Sequence, residues 1–182
     1  MEIKQTGITG LVEIIPRVLS DNRGWFVESY NKDVLTSLGH NYNFVQDNLS
    51  FSHARVLRGL HFQNSPFEQG KLVKVIQGKV LDVAVDLRPD SPTFGQHYKV
   101  LLTAEKQNML FIPEGFAHGF AAIMDSYLFY KCTKTYNQPY DSGIAFDDSE
   151  LNIDWEIESP MISEKDQNLQ SFQLYKSALG LE

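Results

Sequence analysis

The chain contains a single cysteine, Cys132, among 182 residues. No intrachain disulfide can form, which excludes a disulfide-stapled scaffold and fits a reducing compartment. Positive charge is also in short supply: 16 Lys and Arg face 23 Asp and Glu, a net charge of −7. An acidic chain is a poor partner for a nucleic-acid backbone or an anionic membrane. A few local Arg and Lys side chains can still hold a small anion. No run of about 18 apolar residues occurs, so no helix is expected to span a membrane. Met1 to Gly7 has no apolar stretch of the signal-peptide kind. The expectation is a cytoplasmic protein with neither nucleic-acid nor membrane partners. Helical signals are scarce too. Asn31 to Leu38 has a cap at Asn31 and a stop at Gly39, and Ser163-Glu164-Lys165-Asp166 resembles a helix start.

What is present is a globular composition, 42% hydrophobic and 12% aromatic. A chain of this length can bury about 70% of its unfolded surface in one domain, here residues 1–182, without a metal or disulfide staple. Short β-like runs broken by Gly and Pro recur: Leu11 to Ile15, Trp25 to Tyr30, Lys71 to Ile76, Lys79 to Leu87, Tyr98 to Thr103, Met109 to Ile112, Gly119 to Met124 and Tyr127 to Thr133. Gln77-Gly78 predicts a compact hairpin between two of them. Leu81, Val83, Val85 and Leu87 alternate with Asp82, Ala84 and Asp86, which predicts one buried face and one more polar face. Many short strands at this spacing predict an all-β sandwich or barrel.

Arg58-Gly59-Leu60-His61-Phe62-Gln63 carries the strongest chemical signal. A guanidinium suits a phosphate, and an imidazole transfers protons near neutral pH. Lys71, just after Gly70, suits a developing oxyanion. Other polar clusters are Asp21 to Gly24, Phe44 to Asn48, Ile112 to Phe120 and Tyr130 to Tyr136. Each has a plain structural reading when taken singly. Arg23 serves equally as a solvated turn residue, Gln46 and Asn48 as a cross-strand pair, Tyr130 as a core residue and Asp166 as a helix-capping group.

Taken in order, these stretches resemble one family, the dTDP-4-dehydrorhamnose 3,5-epimerases. The matching segments are Asp21 to Phe26, Phe44 to Asn48, Leu57 to Gln63, Gln69 to Val73, Asp82 to Arg88, Ser91 to Gly95, Ile112 to Phe120, Tyr130 to Thr133 and Ser163 to Asp166. The resemblance implies a double-stranded β jelly roll of the cupin type with a few short helices. It also implies a homodimer, with the N-terminal strand around Leu11 to Ile15 paired across it, and no cofactor or metal. The implied substrate is dTDP-4-dehydro-6-deoxy-D-glucose, inverted at C3 and C5. His61 is then the base, Asp166 its carboxylate partner, Tyr130 the proton donor and Lys71 the neighbour of the C4 oxygen. Arg23, Phe26, Glu28, Gln46, Asn48, Arg58, His118, Asp141 and Lys165 are expected around the ligand, and Tyr136 is expected to limit sugar geometry. This sequence departs from the family pattern in three places. Asp141 stands where a glutamate is usual, Leu49 where a histidine is common, and the segment from His118 to Tyr130 is one residue short.

A relative inverting only C3 would carry much the same motifs. A metal-dependent cupin is a rival reading, with His61, Glu68 and His118 as ligands. Gln63 stands in the position its second histidine would need, and an amide is a poor ligand for most transition metals. A non-catalytic sugar-nucleotide-binding sandwich is a third reading. The co-occurrence of His61, Lys71, Tyr130 and Asp166 speaks against it.

Overall fold

Side-chain alternation along short strands sets the architecture, because each sheet must bury at least one face. The computed structural model describes residues 1–37, 39 and 41–181. In chain order its strands are β1 (Glu2–Gln5), β2 (Val12–Ile15), β3 (Val18–Asp21), β4 (Gly24–Val27), β5 (Gln46–Ser52), β6 (Leu57–Gln63), β7 (Lys71–Gln77), β8 (Lys79–Asp86), β9 (His97–Thr103), β10 (Met109–Ile112), β11 (Phe116–Ala122), β12 (Ser126–Cys132) and β13 (Asp141–Gly143). One sheet runs β1-β2-β10-β7-β12-β5 and the other β13-β6-β11-β8-β9, while β3 and β4 stand apart as a hairpin. Short helices α1 (Lys32–Ser37), α2 (Glu164–Gln167) and α3 (Phe172–Ala178) complete the all-β jelly roll that the resemblance implies. No helix among the described residues is long and apolar enough to cross a membrane.

Three apolar layers hold the sheets. Val73, Val75, Leu110, Ile112 and Leu128 of the six-stranded sheet meet Val80, Leu102, Phe116 and Phe120 of the five-stranded sheet. Leu81, Val83, Val85 and Leu87 face the other way, under Ile144, Leu151, Trp155 and Phe172 of the C-terminal segment. Val12, Ile14, Leu72 and Phe111 are covered by Leu35, Tyr42 and Phe44. The alternation along β8 is therefore real, but both of its faces are buried. Its more polar face, with Asp82 and Asp86 fully buried, points between the sheets.

One expectation is corrected. Gln77-Gly78 does not close a hairpin, because β7 pairs with β10 and β12 while β8 pairs with β11 and β9. Gly78, at φ 90°, carries the chain from one sheet to the other where a side chain would strike Ser126. A glycine turn signals reversal without naming the partner strand, and two doubly buried strands specify no pairing of their own. The helix expected over Asn31 to Leu38 is present over Lys32–Ser37, with the Asn31 side chain capping it by accepting from the backbone N–H groups of Asp33 and Val34. Leu38 lies outside the described residues.

Strand β2 is flanked on both sides within the chain, by β1 and β10. It offers no free edge to a partner. The β3–β4 hairpin exposes its apolar side chains instead, with Leu19, Trp25 and Phe26 at 50%, 59% and 67% exposure.

Candidate active site

Arg58 and His61 are three residues apart, so strict alternation would place them on opposite faces of β6. A bulge prevents this. His118 pairs with His61 but Phe120 pairs with Arg58, so two steps along β11 match three along β6. The extra residue turns both polar side chains into the space between the sheets, while Leu57, Leu60 and Phe62 pack outward. Gly59 sits at this bulge with φ 118°. A Cβ there would lie 2.6 Å from Gly119 Cα and 2.8 Å from the His118 carbonyl oxygen. Only glycine allows the strands to approach so closely.

Helix α2 delivers the partner of His61. The Ser163 hydroxyl accepts from the Asp166 backbone N–H at 3.1 Å, which starts the helix and leaves the Asp166 carboxylate free to reach β6. Asp166 Oδ1 lies 2.7 Å from His61 Nε2, and Oδ2 accepts from the Gly59 N–H at 3.2 Å. Burial pushes the Asp166 carboxyl up, but hydrogen bonds from His61, Gly59 and Ser163 outweigh it and hold the group below the usual carboxylate range. A buried anion with both oxygens satisfied orients the imidazole and leaves Nδ1 for the cavity. Nδ1 has no hydrogen-bond partner among the described residues.

The cavity encloses about 400 Å³ between the sheets. Gln46, Asn48 and Ser50 line one wall at successive inward positions of β5. Tyr130 stands opposite Asn48 on β12, and Lys71 lies opposite Cys132 on β7. The short segment before Tyr130 does not turn it away from the site. Its hydroxyl has no hydrogen-bond partner among the described residues. Burial, with Cys132 and Asp141 nearby, raises the Tyr130 phenol above its ordinary value against the opposing pull of Arg58. The Lys71 ammonium also has no hydrogen bond or ion pair among the described residues. Burial lowers its pKa, while nearby Cys132, Asp82 and Asp141 oppose the shift. Lys71 is thus a desolvated cation without a fixed counterion, the arrangement needed to meet charge that develops on a ligand.

Three residues close the rim. Tyr136 donates from its hydroxyl to Asp141 Oδ2 at 3.1 Å, and the Lys165 ammonium donates to the same oxygen. Asp141 thus joins both groups. Arg58 is held by Ser52 Oγ at 3.0 Å and the Phe51 carbonyl at 3.1 Å. Arg58, Lys71 and Lys165 therefore gather positive charge around one cavity of an acidic chain.

Of the residues expected around a ligand, Gln46, Asn48, Arg58, His61, Lys71, His118, Tyr130, Tyr136, Asp141 and Lys165 all line this cavity. Asp166 stands behind His61. Arg23, Phe26 and Glu28 do not reach the cavity within one chain. Arg23 lies on the exposed hairpin and pairs with Asp21 at 2.6 Å. Glu68 pairs with Lys134 at 3.6 Å and does not line the cavity that His61 and His118 share. Gln63 is taken up by loop contacts, donating to the Phe67 carbonyl at 2.7 Å and accepting from the Asn137 N–H at 2.6 Å. Among the described residues no cluster of three or more His, Cys, Asp and Glu is arranged to hold a metal. Ser50 and Gln69 also line the cavity and were not anticipated. Continued alternation after Gln46 and Asn48 would have pointed to Ser50, whereas Gln69 lies on a loop with no periodic signal.

The sequence profile of the dTDP-4-dehydrorhamnose 3,5-epimerase family matches residues 5–173. The chain is 49% identical over 168 residues to a dTDP-4-dehydrorhamnose 3,5-epimerase of Methanothermobacter thermautotrophicus, covering 90% of each chain. The crystal structure of a dTDP-4-dehydrorhamnose 3,5-epimerase from Bacillus anthracis, with TDP and PPi bound, matches with a TM-score of 0.92 at 44% identity, over 94% of this chain and 99% of that one. A Legionella pneumophila dTDP-6-deoxy-D-glucose-3,5-epimerase in complex with dTDP-4-keto-L-rhamnose matches with a TM-score of 0.93 at 42% identity, over 98% and 96%. The chain belongs to the dTDP-4-dehydrorhamnose 3,5-epimerase family and is an isomerase built on a cupin-type jelly roll.

Proposed function

We propose that the protein inverts C3 and C5 of dTDP-4-dehydro-6-deoxy-D-glucose to give dTDP-4-dehydro-L-rhamnose. One observation carries this reading. An imidazole backed by a buried carboxylate, an unpaired half-buried lysine and an unpaired phenol all line one cavity. A hydrogen next to a ketone is too weakly acidic for a histidine of pKa about 6.5 to remove unaided. In this reading His61 takes that proton through Nδ1, the electron pair moves onto the C4 oxygen, and Lys71 stabilises the resulting enolate. Asp166 stabilises the imidazolium that forms. Inversion requires the proton to return on the other face, and the Tyr130 hydroxyl supplies it. The tyrosinate then recovers a proton from solvent, and His61 releases its own. Both stereocentres flank the same ketone, so one base, one lysine and one acid serve both.

Arg58, with a forked guanidinium at the cavity rim, suits the diphosphate. Gln46, Asn48 and Ser50 offer hydrogen-bonding groups along the same wall. Much of the binding energy then comes from the remote nucleotide and serves to position the sugar. Replacing His61 with Ala should abolish deuterium incorporation at C3 and C5 while nucleotide binding persists. Normal exchange in that variant would remove His61 from the role of base.

A homodimer belongs to this reading. The exposed Leu19, Trp25 and Phe26 of the β3–β4 hairpin are the surface that a second copy would cover, and only such a copy could bring Arg23, Phe26 and Glu28 to a cavity. Light scattering should report about twice the 20.8 kDa chain mass. A monomer at micromolar concentration would count against the dimer.

A further inference from the structure

A second imidazole–carboxylate pair stands beside the first. His118 on β11 is the direct cross-strand partner of His61 on β6, so their imidazoles are neighbours on the cavity wall. His118 Nε2 lies 2.9 Å from Oδ2 of Asp82, which β8 holds fully buried between the sheets. The two pairs differ at the second carboxylate oxygen. In Asp166 it accepts from the Gly59 N–H. In Asp82 it is the one buried side-chain oxygen or nitrogen among the described residues with no hydrogen-bond partner.

That difference in hydrogen bonding is the basis for inferring where the protons sit. A fully buried carboxylate accepting a single hydrogen bond is high in energy as a net anion. The His118–Asp82 pair avoids this when its total charge is zero. Two arrangements achieve neutrality: imidazolium facing carboxylate, or neutral imidazole facing carboxylic acid. Each places one proton between Oδ2 and Nε2 and the other on Nδ1. His118 therefore presents an N–H from Nδ1 in both. Asp166 has its second oxygen satisfied and is stable as an anion beside a neutral His61, whose Nδ1 is then a bare lone pair. Lys71 on β7 acts on Asp82 through space, but no hydrogen bond joins them, and no side chain or backbone group among the described residues partners Asp82 Oδ1. Tyr130 and Cys132 on β12, with Tyr136, Asp141 and Lys165 at the rim, are the other titratable groups around the cavity.

We propose that Asp82 is a positioning residue that keeps a proton on Nδ1 of His118, so that His118 donates a hydrogen bond to the ketone oxygen beside Lys71. Two pairs built from the same side chains thus take opposite roles, His61 as acceptor of a proton and His118 as donor of a hydrogen bond. The proposal rests on the epimerase reading for its ligand, but its proton placement belongs to the protein alone.

The decisive experiment is ¹⁵N NMR of the histidine rings in the ligand-free protein near neutral pH, with His118→Asn and His61→Asn to assign the signals. The expected result is a protonated Nδ1 at His118 and a bare Nδ1 at His61. A bare Nδ1 at His118 would overturn the proposal. In Asp82→Ala the His118 ring should relax to a mixture of tautomers, and an unchanged spectrum would remove Asp82 from its role. In the exchange assay His118→Leu should lower kcat about 10²–10³-fold, the usual scale for one oxyanion donor, with little change in KM. His118→Asn, whose amide can donate from nearly the position of Nδ1, should recover most of that loss. Wild-type kcat in the Leu variant would exclude the donor role. If the wild-type protein exchanges no substrate proton at all, the epimerase reading fails, and the ¹⁵N spectrum still decides the proton placement.

Discussion

Replacing Tyr130 with Phe separates the two proton transfers. The ring packs against the layer between the sheets and would remain there. The hydroxyl has no hydrogen-bond partner among the described residues, so its removal leaves no buried group unsatisfied. The stability change should therefore stay within about 1 kcal/mol. Abstraction by His61, with Lys71 facing the oxygen, needs no phenol. The enolate should still form, and it should be reprotonated mostly from the face it left. In deuterated water the variant should wash deuterium into C3 or C5 while epimerisation falls about 10²–10⁴-fold, the scale for losing a general acid. NMR resolves both quantities in one time course. Inversion at the wild-type rate would refute the assignment and make Tyr136, whose hydroxyl sits at the rim, the better donor.

Three further outcomes follow from the geometry. Asp166→Asn should lower kcat strongly with little change in nucleotide affinity, because the carboxylate acts through His61; a parallel fall in affinity measured by calorimetry would point to a structural role instead. Lys71 should shape the alkaline limb of the pH–rate profile: burial lowers its pKa, so the rate should begin to fall below the ordinary lysine value of 10.5. A limb at or above that value would contradict a desolvated Lys71. Gly59→Ala should cost about 3 kcal/mol of stability, combining a positive φ with a collision against β11, and a thermal midpoint equal to that of the wild type would contradict the bulge described here.

Acid sensitivity follows with its sign. The carboxyls of Asp166 and Asp86 are both held below their ordinary value of 3.8. For Asp86, burial raises the carboxyl, but hydrogen bonds from Arg88, Ser91 and Thr93 prevail. A group whose pKa is depressed by folding stabilises the fold above its unfolded value and loses that contribution as pH falls through the folded value. These two contributions should therefore be intact near neutrality and disappear below about pH 4.

The site was more legible in the sequence than the pairing of the strands. Functional side chains cluster in short local motifs, and Arg58, His61, Lys71, Tyr130 and Asp166 converge as those motifs suggest. Strand identity was also readable, because alternation such as that along β8 is local. Which strands pair was not. Gln77-Gly78 looks the same whether it closes a hairpin or turns a corner between sheets, and long-range contacts decide between them. The irregularity at Gly59, which accompanies the placing of Arg58 and His61 on one face, was equally hidden. Helix α3 escaped because it buries only Phe172 and so shows no amphipathic period. The placement of Arg23, Phe26 and Glu28 outside the cavity could not be foreseen from motifs that carry no information on how far a hairpin stands from its own domain.

The central claim is tested most directly by one NMR time course of the wild-type protein with dTDP-4-dehydro-6-deoxy-D-glucose in deuterated water. The account predicts deuterium at both C3 and C5 and accumulation of the L-rhamno product. Deuterium at C3 alone would reduce the activity to a single inversion, and no exchange at either carbon would contradict the account.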